Sequence, residues 1–398
     1  MDADTVRALA SAEGERALAE AAREPDPGTP AAAQRLRAGF RPELAAAALG
    51  QVTLRRRAVT KFGPAAADLW FTRDGLEQAT RPEVAAHHAG RFRAAGVRLV
   101  VDLGCGIGSD ALAFAAAGLE VLAVDSDSVT AEVARLNLAG HGEVLLGDAE
   151  ALAAGELAEL LADPGVGVFC DPARRTSAGR LWRVADFTPG WSFVTALLTS
   201  GGVAGVKLGP ALPHHLVVPG TEAEWVSARG DTVEVGLWAG RGSVVDGRVA
   251  LVLPDARLVV APRPSTDGPP ELAVSPPRRY VYEPDGAVIR AGGVAAVGAL
   301  VGGALLDPQI AYLTSDELVP TPYASAFEVL EVLPYQEKQL RRWLHGHEIG
   351  RCEIKKRGID VDPATLRRQL SLRGPGSCTL ILSRTPRGGV ALVTRRVS

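Results

Sequence analysis

The stretch VDLGCGIGSDALAFA, residues 101–115, decides how the first half of this 398-residue chain is read. A β-branched run ends at Asp102, glycines follow at 104, 106 and 108, and an alanine-rich helical pattern begins at Ser109. Glycines lack Cβ atoms, so they allow a tight turn and let a ligand lie against the backbone at the N-terminus of the next helix. Asp125, in LAVDSD, ends the next β-rich run about twenty residues later. A carboxylate there can accept hydrogen bonds from both hydroxyls of a ribose. Asp148, in LLGDAE, ends the third run and can take an adenine amino group. Dinucleotide-binding enzymes use similar glycines, so the loop alone leaves both ligand classes open. A dinucleotide requires neither the acid ending the first strand nor the third acid.

Around this loop, strand and helix patterns alternate. RLVVDLG, LEVLAVD, EVLLG, VGVFCD and VAGVKLG read as five strands, with helices Ser109–Ala117, Ser128–Ala139 and Trp191–Thr199 between them. Such alternation predicts an α/β fold with a parallel, doubly wound sheet of Rossmann-like type. EWVSARG, TVEVGLWAG and RVALVL read as antiparallel strands closing one edge. Upstream, TVRALASAEGERALAEAA and PELAAAALGQVTLRRRA carry apolar residues at helical spacing, so residues 1–90 form an N-terminal helical lobe. The core then spans 91–260. APRPSTDGPPELAVSPP, residues 261–277, is the expected linker, and residues 278–398 a mixed α+β module with helices near Glu337–His345 and over Pro363–Leu370.

Composition narrows the class. No uninterrupted apolar run approaches the ~20 residues of a membrane span, and the acidic, amphipathic start MDADTVRALA lacks the form of a secretory signal. Four scattered cysteines, with no CxxC pair, argue against a disulfide framework or zinc site and for a reduced, cytoplasmic protein. His345 and His347, in HGHEIG, lack a third ligand at metal spacing, so no metal is expected. The formal net charge of −3 is unevenly placed: Pro334–Ser398 holds 14 Lys and Arg against 5 Asp and Glu, and the rest of the chain is acidic. That asymmetry suits a polyanionic partner or, equally, an arginine-rich solvated surface.

Asp102, the glycines, Asp125 and GDAE resemble the motif series of class I S-adenosylmethionine-dependent methyltransferases. The resemblance implies S-adenosylmethionine as cofactor, with Asp102, Gly104 and Gly106 near its methionine moiety. It places Asp125 on the ribose, and Asp148 with Ala149 around the adenine. EQATRPEVAAHHAGRF, residues 77–92, is similar to the segment preceding the first motif in trimethylguanosine synthase-like RNA methyltransferases. It would set Gln78, Ala79 and Thr80 over the methionine end. Read on its own residues, Thr80 can cap the helix beginning near Pro82, a role compatible with the first.

Strand four ends in CDPARR, with Asp171 and Pro172 where amino-methylating relatives carry Asp/Asn/Ser-Pro-Pro-aromatic. An exocyclic amine is a weak nucleophile because its lone pair is delocalised into the ring. A side-chain oxygen and the following backbone carbonyl can accept both its protons and aim the nitrogen at the methyl group, and such positioning can be worth up to ~7–11 kcal/mol. Ala173 and Arg174 replace the second proline and the aromatic. Arg174 can stack on a base, pair with a phosphate, or remain an exposed loop residue. Lys207, ending VKLG, can neutralise a phosphate, orient the acceptor, or pair with Asp171. His214 and His215 offer a proton acceptor in the next loop, though a loop pair of this kind is commonly incidental.

DPARR, Lys207, and the tail segments RRYVYEPDGAVIRAG and EIKKRGIDVDPATLRRQLSLRG resemble bacterial methyltransferases with a C-terminal THUMP-like domain, over residues 70–398. The resemblance implies RNA. Lys355, Lys356, Arg357, Arg367 and Arg368 suit phosphate contacts, and few aromatic residues accompany them, which favours structured RNA read by shape. The expected function is N-methylation of a base in structured RNA, with Asp171, Pro172, Arg174 and Lys207 at the acceptor. Two alternatives stay open: a small-molecule or protein methyltransferase, and an RNA-binding protein that holds the cofactor without catalysis.

Overall fold

The computed structural model describes residues 1–174, 186–260 and 272–397, with backbone alone for Ala173 and Arg174. The chain divides into two compact units: residues 1–222 with 235–246, and residues 223–234 with 247–398. Strand β9 (Asp231–Ala239) contributes residues to both.

The first unit opens with helices α1 (Ala3–Leu9), α2 (Ala12–Ala22), α3 (Pro30–Arg37), α4 (Pro42–Phe62), α5 (Arg73–Gln78) and α6 (Pro82–Ala94). Local chemistry sets several starts: the side chains of Asp2, Ser11, Thr29 and Thr72 accept from backbone N–H groups in the first turns of α1, α2, α3 and α5. Leu9, Leu18, Leu36, Leu44 and Leu49 form the core of this lobe. A second cluster joins Val6, Phe71 and Leu76 to Ile107 and Val133, which anchors the glycine loop to the helices before it.

Alternation follows: β1 (Leu99–Leu103), α7 (Ser109–Ala116), β2 (Glu120–Asp125), α8 (Ser128–Leu138), β3 (Glu143–Leu146), α9 (Ala149–Ala154), α10 (Ala158–Leu161), β4 (Val166–Cys170), β5 (Ala173–Arg174), β6 (Phe187–Thr188), α11 (Trp191–Thr199) and β7 (Val203–Leu208). The sheet order is β9-β7-β4-β1-β2-β3. β7, β4, β1, β2 and β3 are parallel, and β9 pairs antiparallel with β7. The order reverses at β1, so the carboxyl ends of β1 and β4 flank the crevice where open α/β sheets bind ligands. Phe92, Phe114, Phe169 and Trp238 pack edge to face in the core, with ring centroids 5.4–5.5 Å apart for Phe92–Phe114, Phe114–Phe169 and Phe92–Trp238.

In the second unit, β8 (Glu222–Ala228), the first part of β9, β10 (Gly247–Val252) and β11 (Ala256–Val260) lie side by side. β12 (Tyr280–Pro284), α12 (Gly286–Ala291), α13 (Val294–Leu300), β13 (Ala304–Asp307), β14 (Ile310–Ser315), β15 (Ala324–Pro334), α14 (Glu337–Gly346), β16 (Ile349–Arg357), α15 (Pro363–Leu370), β17 (Gly376–Thr385) and β18 (Gly388–Arg396) complete it. Their sheet runs β13-β14-β12-β15-β18-β17-β16. Its β16–β17 pair is parallel, and the crossover this requires is α15. Leu340 and Leu344 of α14 and Leu366 and Leu370 of α15 bury against Leu380, Leu382, Ala391 and Val393.

Several details differ from the sequence reading. α7 and α8 each end one residue early, α8 because Ala139 takes a left-handed conformation (φ 46°). The division into units falls at β8, β9 and β10, whereas the proline-rich stretch marks residues 261–277. Of that stretch, residues 261–271 lie outside the described residues, and Val274 bridges to Leu305. Antiparallel pairing of Ala173–Arg174 with Phe187–Thr188 had no counterpart in the sequence pattern.

Candidate active site

The three loop glycines adopt positive φ: 84° at Gly104, 56° at Gly106 and 82° at Gly108. Gly104 has a second constraint, since a Cβ there would sit 3.1 Å from the Asp171 carbonyl oxygen. The backbone just after β4 therefore passes close against the first glycine after β1. Gly106 N–H donates to Asp125 Oδ2 at 3.0 Å, and Asp127 N–H to Oδ1 at 2.9 Å, which pins the carboxylate at the end of β2. Burial pushes Asp125 above its ordinary pKa, against these backbone donors. Asp148 is exposed and caps α9, its Oδ1 accepting from Ala151 N–H at 2.9 Å.

Asp102 is 1% exposed, and neither carboxylate oxygen has a hydrogen-bond partner among the described residues. Burial first, then the charges of Asp110 and Asp171, drives its pKa well above the carboxylate range. A buried polar group left bare is costly and calls for an explanation. At the edge of a ligand crevice, a cationic or hydrogen-bond-donating ligand provides one.

Beside it runs a connected polar chain. Thr80 Oγ1 donates to Asp110 Oδ2 at 2.5 Å, and His88 Nδ1 lies 2.7 Å from Asp110 Oδ1, all three buried. Burial raises the Asp110 pKa, but His88, Lys207 and Thr80 together hold it below its ordinary value. Lys207 Nζ donates to Thr80 Oγ1 at 2.9 Å and forms an ion pair with Asp171. Thr80 is therefore no helix cap: Arg81 precedes α6, and the Thr80 hydroxyl serves this chain. Lys61 closes the arrangement from α4, donating to the carbonyls of Leu76 (2.7 Å), Glu77 (3.0 Å) and Ala79 (2.6 Å) at the end of α5. Burial, with help from the Lys207 and Arg81 charges, lowers the Lys61 pKa to about 8.

Thr80, Asp102, Gly104, Gly106, Asp125, Asp171 and Lys207 thus gather at one sheet edge, with Pro172 buried behind Asp171. Gln78 is exposed at the end of α5, and Asp148 with Ala149 stands at the end of β3. The Arg174 side chain lies outside the described residues. Lys61, His88 and Asp110 are the members that sequence reasoning missed, because their bonds span up to 30 positions and leave no local pattern. Asp110 alone had a signal, as the first-turn acid after the glycine loop.

In the second unit, Lys355 pairs with Glu283 at 2.8 Å and Glu353 at 3.3 Å, and Arg357 lies 3.6 Å from Glu283. Part of the cationic run is thus internally compensated, while Lys356, Arg367 and Arg368 remain exposed. His345 Nε2 sits 3.0 Å from the carbonyls of Leu370 and Ser371, and His347 stacks on Trp343 with centroids 3.8 Å apart. Among the described residues, no cluster of three or more His, Cys, Asp and Glu side chains can hold a metal, and no helix is long and apolar enough to cross a membrane.

Comparison with known proteins completes the description of the site. Residues 324–396 match the family described as THUMP domain-like, and residues 2–58 match a family described as a domain of unknown function, DUF8688. The chain is 36% identical over 354 residues to an uncharacterised S-adenosylmethionine-dependent methyltransferase found in two strains of Mycobacterium tuberculosis, covering 86% of this chain and 94% of the relative. The crystal structure of a candidate methyltransferase from Porphyromonas gingivalis W83 shares the fold, with a TM-score of 0.77, 21% identity, and coverage of 96% of this chain and 99% of that one. A relative this similar over this much of its length assigns the cofactor class as well as the fold, and the chain belongs to the S-adenosylmethionine-dependent methyltransferases.

Proposed function

We propose that the protein transfers the methyl group of S-adenosylmethionine to a nitrogen of a base in structured RNA. When bound, the cofactor supplies an electrophilic methyl on a positively charged sulfur. The bare Asp102 carboxyl fits such a cation, and Gly104 and Gly106 leave room for its chain against the backbone. Gln78 and Thr80 cover the methionine end, Asp125 has lone pairs left for the ribose hydroxyls, and Asp148 with Ala149 frames the adenine.

The observation that carries the acceptor assignment is the place of Asp171. It follows β4, its carbonyl packs on Gly104, and Lys207 fixes its carboxylate. A carboxylate oxygen there, with the Pro172 carbonyl, accepts the two protons of an exocyclic amine and directs its lone pair toward the methyl. Lys207 and Arg174 hold the substrate around it. Catalysis of this kind is positioning rather than covalent chemistry. An RNA acceptor is supported by the THUMP domain-like match and by the basic surplus of the same residues.

The test is methyl transfer from tritiated S-adenosylmethionine to total RNA from a strain lacking the gene. Counts that enter one RNA fraction and vanish with Asp171→Ala, while cofactor affinity stays within a few-fold, are the expected result. Label in small metabolites or protein, with none in RNA, would replace the RNA acceptor.

A further inference from the structure

A second feature lies far from the cofactor crevice in sequence. Arg351, Arg367, Arg395 and Arg396 line an open groove of about 570 Å³ in the second unit, together with a single acid, Glu353, and the thiols Cys352 and Cys378. All four arginines are exposed residues, and Arg396 donates to Ser325 Oγ at 3.0 Å. Arg395 pairs with Glu328 at 2.6 Å, whereas Arg351 and Arg367 have no ion pair among the described residues. Cys352 and Cys378 are direct register partners on the parallel strands β16 and β17, and their sulfurs lie 3.7 Å apart. Neighbouring strands stand about 4.7–4.9 Å apart, within the Cα separation that a disulfide spans.

The two thiols are unequal. Cys378 is half-buried and borders the groove, while Cys352 is 8% exposed beneath it. Its hydrogen bond with Cys352 puts the Cys378 thiol below its ordinary pKa. Cys352 is raised, first by that same hydrogen bond and then by burial. An accessible, activated thiol beside a second thiol and several guanidinium groups has the makings of an exchange site.

We propose that Cys378 and Cys352 form a thiol–disulfide exchange site for anionic low-molecular-weight disulfides, which the groove arginines attract through their carboxylates. The Cys378 thiolate attacks one sulfur of the small disulfide; an S–S bond forms to Cys378, the original S–S bond breaks, and one small thiolate leaves. Cys352 loses its proton to solvent and attacks Cys378 Sγ, releasing the second small thiolate and closing a Cys352–Cys378 bond. The protein is oxidised by two electrons, and one disulfide is reduced to two thiols.

The full chain, first reduced, is exposed to excess glutathione disulfide and mapped as peptides without reduction. The expected product is a cross-linked peptide pair containing Cys352 and Cys378, reversed by dithiothreitol, with the buried Cys105 and Cys170 still thiols. Cys352→Ser should stop at glutathione on Cys378, and Cys378→Ser should leave Cys352 unmodified. Wild-type protein that keeps both thiols, or carries glutathione on Cys378 with no cross-link, overturns the proposal. Arg351→Ala with Arg367→Ala should slow exchange with glutathione disulfide about tenfold and leave exchange with neutral hydroxyethyl disulfide unchanged. Equal slowing of both reagents would remove the arginines from the site.

Discussion

Lys207 Nζ donates to Thr80 Oγ1 at 2.9 Å across 127 positions of sequence, and the same ammonium is paired with Asp171. One side chain therefore ties the segment before α6 to the residue proposed for the acceptor. Lys207→Met removes one ion pair from the Asp171 carboxylate and the bond from that ammonium to Thr80. Single-turnover methylation should fall about 10²-fold, the scale of a misplaced reacting group. Calorimetric cofactor affinity should change by only a few-fold. Equal losses in both would place Lys207 chiefly in cofactor binding through Thr80.

Asp102 carries a pH signature. Its folded pKa is raised, so between the unfolded value near 3.9 and the folded value the native state binds more protons than the unfolded chain. Stability of the cofactor-free protein should then fall as pH rises through that window. Asp102→Asn removes this slope. Thermal unfolding between about pH 4 and pH 8 should show the variant gaining on wild type as pH increases. Its cofactor affinity should drop, and wild type should recover stability when S-adenosylmethionine is added.

The sign reverses for Lys61. Its pKa is depressed to about 8, so from there to the unfolded value near 10.4 the unfolded chain binds more protons, and stability should rise with pH across that interval. Lys61→Met should abolish this rise. It also removes three bonds to the end of α5, with a loss of about 1–2 kcal/mol in denaturant unfolding and a higher KM for the cofactor.

Gly104→Ala meets two obstacles, a φ of 84° and a Cβ 3.1 Å from the Asp171 carbonyl. Destabilisation of about 1–3 kcal/mol is expected. Because the displaced neighbour is Asp171, kcat should fall further than stability at the assay temperature accounts for. Gly106→Ala, with open space at its Cβ, should destabilise the cofactor-free protein through strain alone and lower cofactor affinity besides.

Charge compensation separates adjacent lysines of β16. Lys355 is engaged with Glu283 and Glu353, and Lys356 is exposed. If RNA lies on this strand, Lys356→Ala should weaken binding and lower the slope of log affinity against log salt by about one, with a smaller effect from Lys355→Ala. Filter binding at several salt concentrations distinguishes them.

What the sequence made legible was whatever repeats locally. The strand ends within a residue of Asp102, Asp125 and Asp171, the helix over Pro363–Leu370 and the turn at the loop glycines all follow from short-range rules. Among the site's supports, Lys61 and His88 were not legible, since they act through long-range bonds that no period encodes. Thr80 shows the limit well: a threonine near a helix start satisfies a capping rule, yet its hydroxyl is drawn to buried Asp110. Lys355 shows it again, because a basic run does not reveal that Glu283 neutralises part of it.

The position of β18 bears on assembly of the second sheet. Residues 388–396 form an inner strand, bonded to β15 on one side and β17 on the other. Until they are synthesised, β15 and β17 have no link, and each presents an open edge that can pair with another chain. A nascent chain halted before Gly388 would hold two such edges at once. Premature stops in this stretch should therefore give aggregates rather than a trimmed, folded protein.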